Sequence, residues 1–281
     1  MSSLVFHLIA HTHWDREWYL PRAALHARLV PALDDLVTRL TADPAYRTFL
    51  LDGQTILLED YVRARPDREA DVKALVKTNR LQVGPWYVLA DEQIPSGESL
   101  VRNLLFGAAD ADHWGGRSEA LYSPDALIRA GVLWRGLGGE PGQDRDLYRW
   151  RGRDGQEAIV WHLSPEGYEI GAALPADAER LAVAWPPVRE ALVARAASKH
   201  VAVFVGADHH AAHPELPRLR DLLAALEPDY AVRISRVDEF LSLAGADAAK
   251  AAPLAGELRW SYRYAWTLQG VHGTRAPQKR R

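Results

Sequence analysis

Short apolar runs that stop abruptly at polar clusters constrain this chain more than any other feature. Leu4–Ala10 ends in His11-Thr12-His13-Trp14-Asp15, and Arg80–Val83 ends in a Gly-Pro-Trp segment that leads to Asp91-Glu92. Ala120–Tyr122 ends in Ser123-Pro124-Asp125, and Val201–Val205 ends in Gly206-Ala207-Asp208-His209-His210. Leu4–Ala10 and Val201–Val205 have the length and composition of buried strands, and Arg80–Val83 and Ala120–Tyr122 read as shorter strands. Between them lie stretches of helical period, such as Ala23–Leu40 with Leu25, Leu29, Leu33, Leu36, Val37 and Leu40 on one stripe. Strands alternating with helices predict parallel β/α units, and in such folds the carboxyl ends of the strands lie on one face. Asp15, Asp91, Asp125 and Asp208 are therefore expected to converge. The fold class read from this pattern is α/β, a parallel (β/α) barrel-like domain.

The remaining segments fit that frame. Arg47–Leu51 reads as a strand closed by an Asp52-Gly53 turn, and Ile56–Arg63 and Asp67–Thr78 read as helices. Ser96 is placed to cap a helix that runs to about His113. Residues 139–156 read as a hairpin or loop, and Ala158–Leu163 as a strand. Pro175–Lys199 reads as mostly helix, interrupted at Trp185-Pro186-Pro187. Leu216–Leu226 is a helix and Ala231–Ile234 a strand, with Ser235 and Asp238 forming a capping box for the next helix. With no repeat, low-complexity tract or linker, residues 1–281 are read as one domain.

Composition narrows the function. A net charge of -3 and a pI near 6.4 give no electrostatic footprint for nucleic acid or an anionic membrane. No apolar run approaches the roughly 18 residues of a transmembrane helix, and Met1-Ser2-Ser3-Leu4 lacks the basic region of a signal peptide. The sequence has no cysteine, so disulfides and thiolate metal sites are excluded. A cytoplasmic location is expected, and a homo-oligomer is compatible with the sequence. Ten Trp are many for 281 residues. Trp14, Trp18, Trp86, Trp260 and Trp266 sit beside polar clusters, as in carbohydrate sites, whereas Trp134, Trp161 and Trp185 read as core.

His13 and Asp15 are two residues apart and share a face in extended backbone. With Asp125, Asp208 and His272 they could form a mixed N/O site suited to zinc, with calcium, cobalt and manganese as alternatives. Two carboxyl groups beside a sugar can divide the work of glycoside hydrolysis. Local pattern also allows blander roles: an N-cap for Asp125, a turn for Asp208, a solvent-exposed tail for His272. A metal-dependent deacetylase or amidohydrolase is a second reading, although no bridging lysine or further set of strand-end histidines stands out. A sugar-binding remnant without turnover is a third.

Longer motifs resemble family 38 glycoside hydrolases, the metal-dependent retaining α-mannosidases. His11-Thr12-His13-Trp14-Asp15-Arg16-Glu17-Trp18 is similar to that family's first metal motif. Gly84-Pro85-Trp86-Tyr87-Val88-Leu89 with Asp91-Glu92, followed by Ser96–Leu104, is similar to its next signature. Tyr122-Ser123-Pro124-Asp125, Gly206-Ala207-Asp208 and Gly270-Val271-His272-Gly273-Thr274-Arg275 resemble the segments that carry the nucleophile, the acid/base and a late metal histidine. The resemblance implies a seven-stranded β/α catalytic domain in which His13, Asp15, Asp125 and His272 ligate one divalent metal. It implies Asp125 as nucleophile and Asp208 as acid/base, roughly 5–5.5 Å apart. Trp18, Trp86 and Asp91 would contact a mannoside, with Trp18 stacked on the ring. Where the family continues Phe-Gly-His after the nucleophile, this chain has Ala126-Leu127-Ile128. Family members also run on through a helical bundle into β-sandwich domains, so the chain is expected to be truncated, with 256–281 as the start of the segment leading onward.

Overall fold

The computed structural model describes residues 4–90, 95–122, 132–134, 145–152, 154–163, 167–247 and 251–255. Its organising strand is β1 (Val5–Thr12), whose residues from Phe6 onward are all buried. A strand covered on both faces needs a continuous apolar run rather than alternation, which is what Leu4–Ala10 supplies. Parallel to β1 lie β2 (Phe49–Leu51), β7 (His200–Val205) and β8 (Ala231–Ile234), with β3 (Leu81–Gln82) parallel to β2. Strand β7 pairs with β1 from Val5 to Ala10, while β8 pairs with Val5–Leu8 and β2 with His11 and Thr12. Thus β8 accompanies the first half of β1 and β2 its carboxyl end. The second sheet joins β4 (Val132–Trp134), β5 (Leu147–Arg151), β6 (Glu157–His162) and β9 (Ala252–Ala255) in the order β4-β6-β5-β9. The β5–β6 pair is antiparallel, so the Gly- and Asp-rich stretch ends in a hairpin, closed by the Gly152 N–H donating to the Gln156 carbonyl at 2.9 Å.

Helices cover the parallel sheet. The stripe expected on α1 (Arg22–Ala42) is buried at Leu25, Leu29, Leu33, Leu36, Val37 and Leu40. Helices α2 (Ile56–Ala64) and α3 (Glu69–Lys77) pack beside it. Ser96 caps α4 (Gly97–Trp114), its hydroxyl accepting from the Ser99 N–H at 3.2 Å. Gly107 lets α4 cross directly over the backbone of residues 85–87; a Cβ there would stand 2.2 Å from the Pro85 carbonyl oxygen. The Gly84–Pro85 peptide bond is cis.

Two local readings differ from the structure. Helix α5 (Ala178–Val193) runs through Pro186 and Pro187 without a break. Tertiary anchoring outweighs the lost helical hydrogen bonds: Trp185 is buried edge-on to Phe6 at 5.2 Å and donates its indole N–H to Glu227 at 2.7 Å. Helix α7 (Val237–Gly245), which follows α6 (Leu216–Leu226), has Arg236 at its N-cap and no side-chain cap bond. Ser235 instead pairs its hydroxyl with His7 Nδ1 at 2.8 Å, and Asp238 accepts from Gln82 at 3.0 Å. Among the described residues no helix is long and apolar enough to cross a membrane.

Candidate active site

The carboxyl ends of β1, β2, β3 and β7 meet on one face, as the parallel pairing requires. Beyond β1 the ladder with β7 continues as a bridge between His13 and Asp208. There the His13 N–H donates to the Ala207 carbonyl at 3.3 Å and the His209 N–H to the His13 carbonyl at 2.7 Å. Gly206 makes this approach possible, since a Cβ would lie 1.9 Å from the His11 carbonyl oxygen. The expected metal ligand His13 and the expected acid/base Asp208 are thereby neighbours across two strands.

His13 Nε2 stands 3.6 Å from Asp15 Oδ1. One divalent ion can span that gap with bonds of about 2.0–2.2 Å, and an imidazole with a carboxylate is a donor set suited to zinc. The two residues present therefore fit a metal. Among the described residues no group of three or more His, Asp or Glu side chains could hold one. Asp91, Asp125 and His272, three of the expected site residues, lie outside the described residues, as does the segment 256–281.

Several residues that sequence reasoning passed over hold this site. Asp52, fully buried, pairs with His13 Nδ1 at 3.0 Å and accepts from the Trp14 N–H at 2.7 Å and from Gln54 Nε2 at 2.7 Å. Gln54 also donates to the Trp14 carbonyl and accepts from the Leu89 N–H, tying three strand-end loops together. His209, in the left-handed region at φ 53°, accepts the Asp15 N–H on Nε2 at 3.2 Å. Tyr168 donates its hydroxyl to Asp208 Oδ1. The loop after β1 is held by Arg16, which grips the buried Asp60 through two hydrogen bonds, with Arg22 adding a third. Burial alone would raise the Asp60 carboxyl, but these guanidinium bonds hold it below the ordinary carboxylate value. Asp52 did carry a signal, since it follows an apolar strand as Asp15 and Asp208 do. The Asp-Gly pair masked it as a turn.

His11 takes no part in the pairing of His13 with Asp15. Its Nε2 donates to the Tyr168 carbonyl at 2.9 Å and its Nδ1 accepts from the Tyr122 hydroxyl at 3.3 Å. Burial pushes its imidazole down to about 4. Both nitrogens being used, His11 and His13 do not converge as the amidohydrolase reading would need. Of the aromatic residues, Trp18 is 49% exposed and stands edge-on to Tyr19 at 5.4 Å. Trp14 is buried against His209. Trp86, expected to meet substrate, is fully buried and packs with Leu100 and Leu121.

A parallel α/β domain with imidazole and carboxyl groups gathered at its strand ends is the kind that binds and acts on small ligands there. Residues 3–127 match the Glycosyl hydrolases family 38 N-terminal domain. Over that stretch, 125 of the 281 residues, the chain is similar to that family's N-terminal domain. It is 33% identical to the "Putative mannosylglycerate hydrolase" of Halalkalibacterium halodurans over 90% of its length, which is 31% of that relative. It is 24% identical to the alpha-mannosidase of Saccharomyces cerevisiae over 56% of this chain and 16% of the yeast one. An alpha-mannosidase structure from Enterococcus faecalis superposes with a TM-score of 0.86 at 27% identity, covering 91% of this chain and 31% of that one. The chain thus spans about a third of the length of the first relative and of that structure.

Proposed function

We propose that this chain is the catalytic domain of a metal-dependent α-mannosidase that removes terminal α-D-mannose from glycans or small mannosides with retention. The observation that carries the proposal is the pairing of His13 Nε2 with Asp15 at 3.6 Å, one strand away from Asp208. In this reading Asp208 protonates the leaving oxygen as the C–O bond breaks, and Asp125 attacks the anomeric carbon to form a glycosyl ester. Asp208 then takes a proton from the water that cleaves that ester. Tyr168, bonded to Asp208 Oδ1, leaves Oδ2 to carry the proton. Trp18 offers an exposed face to the sugar, and Asp91 is assigned to substrate by the family resemblance. A divalent metal, zinc first and calcium, cobalt or manganese as alternatives, would be held by His13, Asp15, Asp125 and His272, and would supply Lewis-acid binding of sugar hydroxyls. Location in the cytoplasm and self-association belong to the same proposal.

Hydrolysis of 4-nitrophenyl α-D-mannopyranoside by the chain, with metal stripped by a chelator and then restored, tests the reading. Mannosylglycerate is the second substrate, since the Halalkalibacterium relative carries it in its name. Turnover is expected to return with zinc. Asp208→Asn is expected to lower it by roughly 10²–10⁴-fold while zinc affinity stays unchanged. A folded, metal-loaded chain that leaves both mannosides intact, or that deacetylates N-acetylated sugars instead, would overturn the assignment.

A further inference from the structure

We propose that Asp52 is a positioning residue that fixes His13 in the tautomer with its proton on Nδ1, so that Nε2 presents a lone pair to the cation site beside Asp15. The inference deepens the metal-dependent reading above and rests on it for its consequence, though not for its test. The geometry is specific. Oδ2 of Asp52 receives two N–H donors, from the Trp14 backbone at 2.7 Å and from Gln54 Nε2 at 2.7 Å. Oδ1 faces His13 Nδ1 at 3.0 Å. A carboxylate only accepts, so the bond requires the proton on Nδ1. Nε2, on the other side of the ring, then points its lone pair towards Asp15. Gln54 is itself oriented by the Trp14 carbonyl and the Leu89 N–H, so neither partner of Asp52 can turn freely. Partners of this kind commonly set the orientation and basicity of a metal-bound imidazole.

The same geometry says what an isosteric change does. In Asp52→Asn the amide oxygen is drawn to the position with two N–H donors, which turns the NH2 group towards His13. Nδ1 must then accept, the proton moves to Nε2, and the lone pair facing Asp15 is lost. The readout is the 15N shifts of the His13 ring in the metal-free chain, by long-range 1H–15N correlation, with the signals identified by comparison with His13→Gln. At a pH where the ring is neutral, the native chain should show a protonated Nδ1 and an unprotonated Nε2, and Asp52→Asn the reverse. Zn2+ affinity, measured by competition with a chromophoric chelator, should fall by roughly 10- to 100-fold. Gln54→Met, which leaves the carboxylate in place, should keep the native tautomer. A native chain with its proton on Nε2 would overturn the inference, and so would Asp52→Asn with native tautomer and native Zn2+ affinity. If Asp52→Asn fails to fold, the native tautomer and Gln54→Met still decide. Failure of the native chain to bind Zn2+ would overturn the metal reading while the ring shifts still judged Asp52.

Discussion

Tyr168 donates its hydroxyl to Asp208 Oδ1 at 2.5 Å. The ring that does this is buried against His11 and His13, so the donor is fixed by packing rather than by a mobile loop. Tyr168→Phe keeps the packing and removes the donor. It is expected to lower kcat/KM on 4-nitrophenyl α-D-mannopyranoside roughly 10- to 100-fold, matching the about 1.5–3 kcal/mol of a hydrogen bond to a charged group. Zn2+ affinity should be unchanged. A rate within twofold of the native chain would remove Tyr168 from any role through Asp208.

The two tryptophans assigned to substrate should separate cleanly. Trp18→Ala is expected to raise KM about 3- to 10-fold, the scale of one aromatic contact, with no change in melting temperature. Trp86→Ala should instead cost about 3–5 kcal/mol of stability through the cavity it leaves, measured by denaturant unfolding. Equal stability of the two variants would contradict their different burial.

Gly206→Ala is a backbone test. The added methyl meets the His11 carbonyl oxygen at 1.9 Å, and neither strand can yield without breaking the β1–β7 pairing. A loss of about 3 kcal/mol or more in stability is expected. A loss under 1 kcal/mol would show that the strands separate there more easily than their register implies.

Acidification should unfold the chain from an unexpected quarter. Burial holds His7 down to about 3, with His200 adding to the effect, and holds His162 down to about 3. Their unfolded value is 6.5, so between 6.5 and 3 the unfolded chain binds protons that the folded chain refuses. Stability is therefore full above pH 6.5 and falls as the pH drops, by about 1.4 kcal/mol per unit for each such group. Asp146, pushed up to about 7 by burial, works in the opposite direction from about pH 4 to 7. His7→Gln should flatten the slope of unfolding free energy against pH in that window, and an unchanged slope would show that His7 is protonated in the folded state.

Much of this was legible in residues 4–15 and 201–208 because buried parallel strands announce themselves as unbroken apolar runs, and their ends as sudden polarity. The helix stripes of α1 and the Ser96 cap were equally local signals. What stayed hidden depends on contacts between distant segments. Asp52 becomes a partner of His13 only because Leu50 and Leu51 register with His11 and Thr12. Tyr168 lies in a stretch with no periodic signal and reaches Asp208 through the fold alone. Trp86 looked like a site residue from its polar neighbours, yet the glycine at position 107 brings α4 down upon its backbone and its ring turns inward. The proline pair at 186–187 looked like a stop, and the buried Trp185 beside it overrode that.

The pairing of β1 carries a consequence for how the chain is born. Val5 finds its partners at His200 and Ala231, so during synthesis β1 waits for strands roughly two hundred residues further along the chain. At about 5–20 residues per second that delay is about 10–40 s. Throughout it Phe6, Leu8 and Ile9 have no native strand beside them except what β2 offers to the far end. Newly made β1 is thus sticky, and a holding chaperone that grasps it would guard the very strand on which the site is later assembled.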